Sequence, residues 1–404
     1  MQVDIQELGA VNRMAHEGAE RAASHLSAMT DIETFVDVTR THVQTTPERD
    51  DSTASARADS TAQQSGLATP DENRRVGVII ELDGGLRGRT AFTFSRESVE
   101  RVREILAPGA DDMDESLVRE LGNVMAGGFV DGWADYLGTT IDISPPTYVD
   151  GTPELDADGP TFVFASEVGA VDESVSFSVQ LSPEPDCMTD ILSGDGETVS
   201  VENLSNFDEM TRIGAISVAE NLSMMTGIDT TVDITNVNFV PVEEVSEGMG
   251  ETMCVGVVFE LESAPGGFVL ILFDESSAHD VARAMVPSDN GEEFDEMEKN
   301  AIREMGNIMA SSFIDGWANA LESTIDISTP KFAHDMGGAI VDPLVAHLGQ
   351  SQQFAFVSDA TIRADDETFD CTLYALPDES DLRDALSSLD TDVSAERVTK
   401  AGRL

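Results

Sequence analysis

ESLVRELGNVMAGGFVDGWADYLGTTIDISPP, residues 115–146, and KNAIREMGNIMASSFIDGWANALESTIDISTP, residues 299–330, align without a gap and share RE-GN-MA, DGWA and TIDIS. Leu117, Leu121, Val124, Met125 and Phe129 recur at helical spacing, which predicts a long helix over 114–136. Asp114 and Glu115 fall in its first turn, where negative charge suits the helix dipole. A β-branched run, TIDIS, follows the helix in each copy.

The repeat extends outward from these blocks. VGVIIELDGGLRGRTAFTF (76–94) is matched by VGVVFELESAPGGFVLILF (255–273), and TFVFASEVGAVDESVSFSVQL (161–181) by QFAFVSDATIRADDETFDCTLYAL (353–376). The N-terminal segment 8–39 is matched by 213–235, with the LGAV at Leu8 read against the IGAI at Ile213. The chain of 404 residues therefore reads as one domain duplicated: domain 1 over 1–200 and domain 2 over 206–404, with the boundary near 195–206. The same LGAV and IGAI echo the LGNV at Leu121 and the MGNI at Met305, each in a helix leading into FVDVT, TVDIT or TIDIS. That weaker repeat predicts internal pseudo-two-fold symmetry within each domain.

Short Val-, Ile- and Phe-rich runs predict strands at 76–82, 90–94, 255–261 and 268–273. Gly84-Gly85 and Pro265-Gly266-Gly267 separate them as hairpin turns. Consecutive strands at hairpin spacing predict an α+β layer fold, a β-sheet packed with long helices, and not a doubly wound parallel sheet. Residues 45–75 are rich in Ser, Thr, Asp and Ala without apolar periodicity and read as a flexible acidic insertion in domain 1.

Asp and Glu number 77 against 23 Lys and Arg, a formal net charge of −54. The lysines are Lys299, Lys331 and Lys400 alone. Such a carboxylate-coated, lysine-poor chain suits molar salt, where the Debye length is only about 3 Å and surface repulsion is screened. The composition thus points to an extreme halophile, an archaeon. It argues against nucleic acid, whose phosphates need basic residues, and against anionic membrane surfaces. Cys187, Cys254 and Cys371 form no CxxC pair, and the six histidines lack ligand spacing, which predicts a reducing cytosol and no metal site. The N-terminus shows no signal-peptide pattern, and the most apolar run, 268–273, is far too short to cross a bilayer. The expected location is cytoplasmic.

Glu120 with Asn123, and Glu304 with Asn307, stand three apart on the predicted helices and so share a face. A single pair of this kind is a solvated surface in most proteins. Here it recurs at the same place in both copies. Ser116 stands one turn before Glu120, and Pro146 and Pro330 stand at the same distance beyond Asn123 and Asn307, at the end of the following strand. This Ser/Asp, Glu, Asn, Pro pattern resembles the signature of the CheC/CheX/FliY family of chemotaxis phosphatases. The first copy matches throughout; the second departs at Asn300, where the family has Ser or Asp.

The resemblance implies two tandem CheC-like domains and a phosphatase that hydrolyses the aspartyl phosphate of the response regulator CheY. Asn123 and Asn307 would then position the attacking water. Glu120 and Glu304 would orient the amide and engage a basic group of the regulator, which supplies its own Mg²⁺; no cofactor of this chain is implied. Family domains often carry two motifs, and the resemblance marks two degenerate sites: Glu7 with Ala10, and Arg212 with Ala215. It also leaves a second function open, a non-catalytic adaptor that binds CheD or phosphorylated CheY.

Other features weigh less. Asp111, Asp112 and Asp114, or Asp195 and Glu197, lack EF-hand spacing and read as solvated surface. Trp133 and Trp317, each in DGW, read as helix-to-sheet packing.

Overall fold

The computed structural model describes residues 2–44, 75–106, 114–153, 155, 161–170, 175–192, 198–226, 230–234, 237–246, 252–286, 294–364 and 370–389. The acidic insertion expected at 45–75, and Asp111, Asp112, Asp195 and Glu197, lie outside these residues, Arg75 excepted. The described residues fall into two units, one ending by 192 and the other beginning at Thr198.

The first unit runs β1 (Gln2–Asp4), α1 (Ile5–Thr30), β2 (Thr34–Gln44), β3 (Arg75–Gly84), β4 (Gly88–Ser95), α2 (Arg96–Leu106), α3 (Asp114–Leu137), β5 (Ile141–Ile143), β6 (Thr147–Asp150), β7 (Thr161–Ala170), β8 (Ser176–Pro183) and α4 (Pro185–Ile191). Its sheet is antiparallel in the order β2-β7-β8-β4-β3, and β5 and β6 lie one after the other along the free side of β3.

The second unit runs β9 (Thr198–Ser200), α5 (Val201–Thr226), β10 (Thr230–Ile234), β11 (Asn238–Pro241), β12 (Met253–Leu261), β13 (Gly267–Asp274), α6 (Glu275–Met285), α7 (Glu296–Ala320), β14 (Lys331–Met336), α8 (Gly337–Leu348), β15 (Phe354–Ala364), β16 (Asp370–Pro377) and α9 (Glu379–Ser388). Its sheet is antiparallel in the order β14-β12-β13-β16-β15, with β10 and β11 pairing successive stretches of β15. Each unit is thus an α+β layer structure, and the two follow one element order except that the second has β10 and β11 in place of β2, lacks a counterpart of β5 and adds α8. The four expected strands are present, each a few residues longer. The second TIDIS does not form a strand: it makes one bridge, Leu261 with Ile327. Pro146 and Pro330 each stand immediately before the edge strand, β6 or β14, and not at the end of a strand as the sequence reading had it.

Each core forms where a pair of long antiparallel helices lies on the sheet. Glycines set the approach. A Cβ on Gly132 of α3 would stand 3.0 Å from the Cα of Gly18 of α1, and one on Gly214 of α5 would stand 2.8 Å from the carbonyl oxygen of Phe313 of α7. Only residues without a side chain let the helices meet this closely. Trp133 is fully buried, edge-on to Phe164 with centroids 5.6 Å apart, and Trp317 lies against Phe207 at 5.1 Å. Trp133 packs helix onto sheet, as expected, whereas Trp317 packs helix onto helix, against Phe207 and Thr211 of α5.

The second unit differs in α8, which lies on the other face of its sheet: Val257 of β12 faces Gly306 of α7, while its neighbour Gly256 faces Ile340 of α8. Pro343 stands inside this helix. Among the described residues no helix is long and apolar enough to cross a membrane.

Candidate functional site

The exposed side of α3 carries Ser116, Arg119, Glu120 and Asn123, and that of α7 carries Asn300, Glu304 and the half-buried Asn307. The helices hold these residues rigidly. Val118, Leu121 and Met125 on α3, and Ile302, Met305 and Met309 on α7, are buried against the core. The glycine inside each ExGN sits directly on the sheet: a Cβ on Gly122 would stand 2.3 Å from Val78 Cγ2, and one on Gly306 2.9 Å from Val257 Cγ1. Each asparagine therefore follows a residue clamped to a strand. The start of α7 is also fixed. Asp295 Oδ1 accepts from the N–H groups of Met297 and Glu298, and Glu298 Oε2 accepts from Asp295 N–H at 2.8 Å, a reciprocal capping box.

Among the described residues the side chains of Glu120, Asn123, Glu304 and Asn307 make no hydrogen bond or ion pair, so their donors and acceptors are open to a ligand. With about 100° of rotation per residue, Asn123 stands about 60° around the helix from Glu120 and about 40° on the other side from Arg119. A carboxamide is thus flanked by a carboxylate and a guanidinium. The arginine reaches toward the edge strand that follows the proline. Arg119 Nη1 donates to the Pro146 carbonyl oxygen at 3.5 Å and Nη2 to Glu115 at 2.7 Å. Arg303 donates to Asn300 Oδ1 at 2.9 Å and lies over the Phe332 ring, 5.5 Å from its centroid. Pro146 and Pro330 are both half-buried. The sequence reading missed both arginines, although RE precedes GN in both copies.

The two pairs expected as degenerate sites do not occupy equivalent turns. Hydrogen bonds between helix and following strand fix the register of α1 and α5. Thr34 Oγ1 donates to the Ala23 carbonyl at 2.9 Å and shares a bond with Ser27 Oγ; Thr230 Oγ1 donates to the Ala219 carbonyl at 2.7 Å and shares one with Ser223 Oγ. Gly18 therefore matches Gly214, His16 matches Arg212, and Ala19 matches Ala215, while Glu7 and Ala10 match Asn203 and Asn206. The LGAV at Leu8 is not the counterpart of the IGAI at Ile213. A left-handed residue follows α1 (Asp31) and α3 (Gly138). On the internal symmetry expected from the sequence, counting back from these puts the Glu120 and Asn123 positions on Arg13 and His16 in α1. The register then gives Glu209 and Arg212 in α5. On the same symmetry Arg212 takes the carboxamide position and Glu209 that of the acid. His16 is engaged by Thr39 Oγ1 at 3.2 Å, and Arg212 lies 3.8 Å from Glu209. Neither helix presents a carboxamide at this turn.

Among the described residues no group of three or more His, Cys, Asp or Glu side chains is arranged to hold a metal ion. The profile of the CheC-like family matches residues 113–149 and 297–334, the two segments that carry the Glu–Asn pairs. A Halobacterium salinarum protein named "Putative CheY-P phosphatase CheC1" is 40% identical over 186 residues, which is 45% of this chain and 92% of that protein. The Thermotoga maritima protein named "CheY-P phosphatase CheX" is 33% identical over 79 residues, 18% of this chain and 50% of its own length. Among solved structures, Thermotoga maritima FliY is similar over 50% of this chain and 98% of its own, with 19% identity and a TM-score of 0.36.

Proposed function

The chain belongs to the CheC-like family, and on that footing we propose that it is a chemotaxis phosphatase that hydrolyses the aspartyl phosphate of a CheY-type response regulator. The observation that carries this reading is the duplicated, solvent-facing pair: Glu120 with Asn123 and Glu304 with Asn307, each on a helix clamped to the sheet by the glycine between them.

The chemistry suits these residues. An acyl phosphate is already reactive, and its loose transition state chiefly needs a water placed in line. The water oxygen bonds to phosphorus as the bond from phosphorus to the aspartyl oxygen breaks. Inorganic phosphate and a free carboxylate result, and the water's proton leaves with the phosphate or to solvent. Asn123 or Asn307 holds that water with its carbonyl and amide groups without adding negative charge beside the phosphoryl group. Glu120 or Glu304 accepts a hydrogen bond or ion pair from a basic group of the regulator and so fixes the docked pose. Mg²⁺, in this reading, belongs to the regulator.

Ser116 and Asn300 stand one turn earlier on the same faces, and Pro146 and Pro330 border them, as supporting residues. The Arg13–His16 and Glu209–Arg212 turns are inactive, since neither carries a carboxamide. Removal of both asparagines, followed by dephosphorylation of the regulator, tests the assignment. An adaptor that docks phosphorylated CheY or CheD without turnover is the reading that a negative result would favour.

A further inference from the structure

We propose that Arg119 and Arg303 are the anion-binding residues of the two sites, each guanidinium contacting the phosphoryl group of the docked regulator. This deepens the phosphatase reading and rests on it.

The charge of the chain calls for a cation at contact distance. A chain with a formal net charge of −54 must receive a phosphoryl anion on a face that already carries a glutamate. In the molar salt that such a composition suits, the Debye length is about 3 Å, so a cation helps only at contact distance. Arg119 is the one basic residue of α3, and it lies beside Asn123 on the side away from Glu120. Arg303 takes the same place on α7. Arginine binds phosphate through paired N–H donors in a planar fork.

A compensating exchange holds the arginine in both copies. Glu115, four residues before Arg119, accepts its hydrogen bond. The corresponding residue of α7 is Lys299, which has no acceptor to offer. Asn300 replaces Ser116 at the next position, and its Oδ1 takes over the arginine. The family departure at Asn300 thus keeps the guanidinium in place. In both units a further contact, the Pro146 carbonyl or the Phe332 ring, draws the arginine toward the edge strand.

The pairs are not equal. Arg119 is held by a carboxylate that a phosphoryl group must displace. Among the described residues Arg303 is held by a neutral amide and an aromatic face. The second site therefore discriminates more strongly for the phosphorylated regulator.

The test is binding, measured in the Asn123→Ala, Asn307→Ala background so that the phosphoryl group persists. Affinities for phosphorylated and unphosphorylated regulator are compared in molar KCl, with and without Arg119→Gln and Arg303→Gln. Circular dichroism confirms the fold. The proposal predicts at least a five-fold loss in the ratio of the two affinities, a larger share of it from Arg303→Gln, and a ratio restored in part by Arg→Lys at both positions. An unchanged ratio, or equal weakening toward both forms, overturns it. Failure of the phosphatase reading would show separately, as wild-type protein that leaves dephosphorylation unaccelerated.

Discussion

Gly122 lies so close over Val78 that a Cβ there would stand 2.3 Å from Val78 Cγ2. The valine is stiff at χ1 and cannot turn away cheaply. Gly122→Ala should therefore lift the start of α3 from the sheet, cost about 1–3 kcal/mol of stability and impair the Asn123 site. At Gly306 the corresponding distance is 2.9 Å, and Gly306→Ala should cost less. Denaturant midpoints in molar KCl, together with turnover by each single-site variant, check this ordering.

Trp317 Nε1 donates to Thr211 Oγ1 at 2.9 Å in the core of the second unit. Thr211→Val keeps the shape, removes the acceptor and should cost about 1–3 kcal/mol by leaving a buried donor unpaired. The helix register puts Ala15 at the same place in the first unit, and among the described residues Trp133 Nε1 has no hydrogen-bond partner. Ala15→Ser should raise the first unit's stability by about 1 kcal/mol if its hydroxyl reaches that nitrogen. Unfolding followed by tryptophan fluorescence reads both changes.

Two half-buried groups give opposite pH dependences. Desolvation, helped by Arg40, lowers the His42 pKa to about 4. Between its ordinary value of 6.5 and about 4 the unfolded chain binds the extra proton, so this group's contribution to stability falls as pH drops through that window. Desolvation raises the Asp208 carboxyl from 3.8 to about 7, against the Val237 N–H and Arg212, which act the other way. Between those values the folded chain holds the extra proton, so its contribution falls as pH rises from about 4 to about 7. His42→Gln should remove the first slope and Asp208→Asn the second, as measured by denaturation at pH 4.5 and 7.5.

Low salt should unfold or expand the protein. At 0.01 M the Debye length is about 30 Å, and the net charge of −54 is then felt across each unit. Circular dichroism is expected to lose helical signal on dialysis from molar KCl to dilute buffer. An unchanged spectrum would contradict the halophilic reading.

The strands and α3 were legible because periodicity and hairpin glycines are local signals, and α3 ends within a residue of its expected end. The duplication was legible because 115–146 and 299–330 align without a gap. Other features depend on tertiary structure. Pro343 breaks the helical pattern of α8, which is held by the apolar sheet face beneath it. The misregistered degenerate sites have a similar origin. An apolar-Gly-Ala-apolar string is too short to choose a turn, and α1 offers a second Gly-Ala at Gly18. The bonds of Thr34 and Thr230 to the preceding helices choose it. Arg119 and Arg303 were visible in both copies as RE, but their place beside Asn123 and Asn307 follows only from helical rotation and the contacts with Pro146 and Phe332.

In the proposed reaction Asn123 and Asn307 position the hydrolytic water. Decay of the phosphorylated cognate regulator in molar KCl should be accelerated by the wild-type protein, by each single Asn→Ala variant to a lesser degree, and not by Asn123→Ala with Asn307→Ala. A double variant that accelerates decay as well as wild type would contradict the site assignment, and a wild-type protein that binds the phosphorylated regulator without accelerating its decay would contradict the enzyme itself.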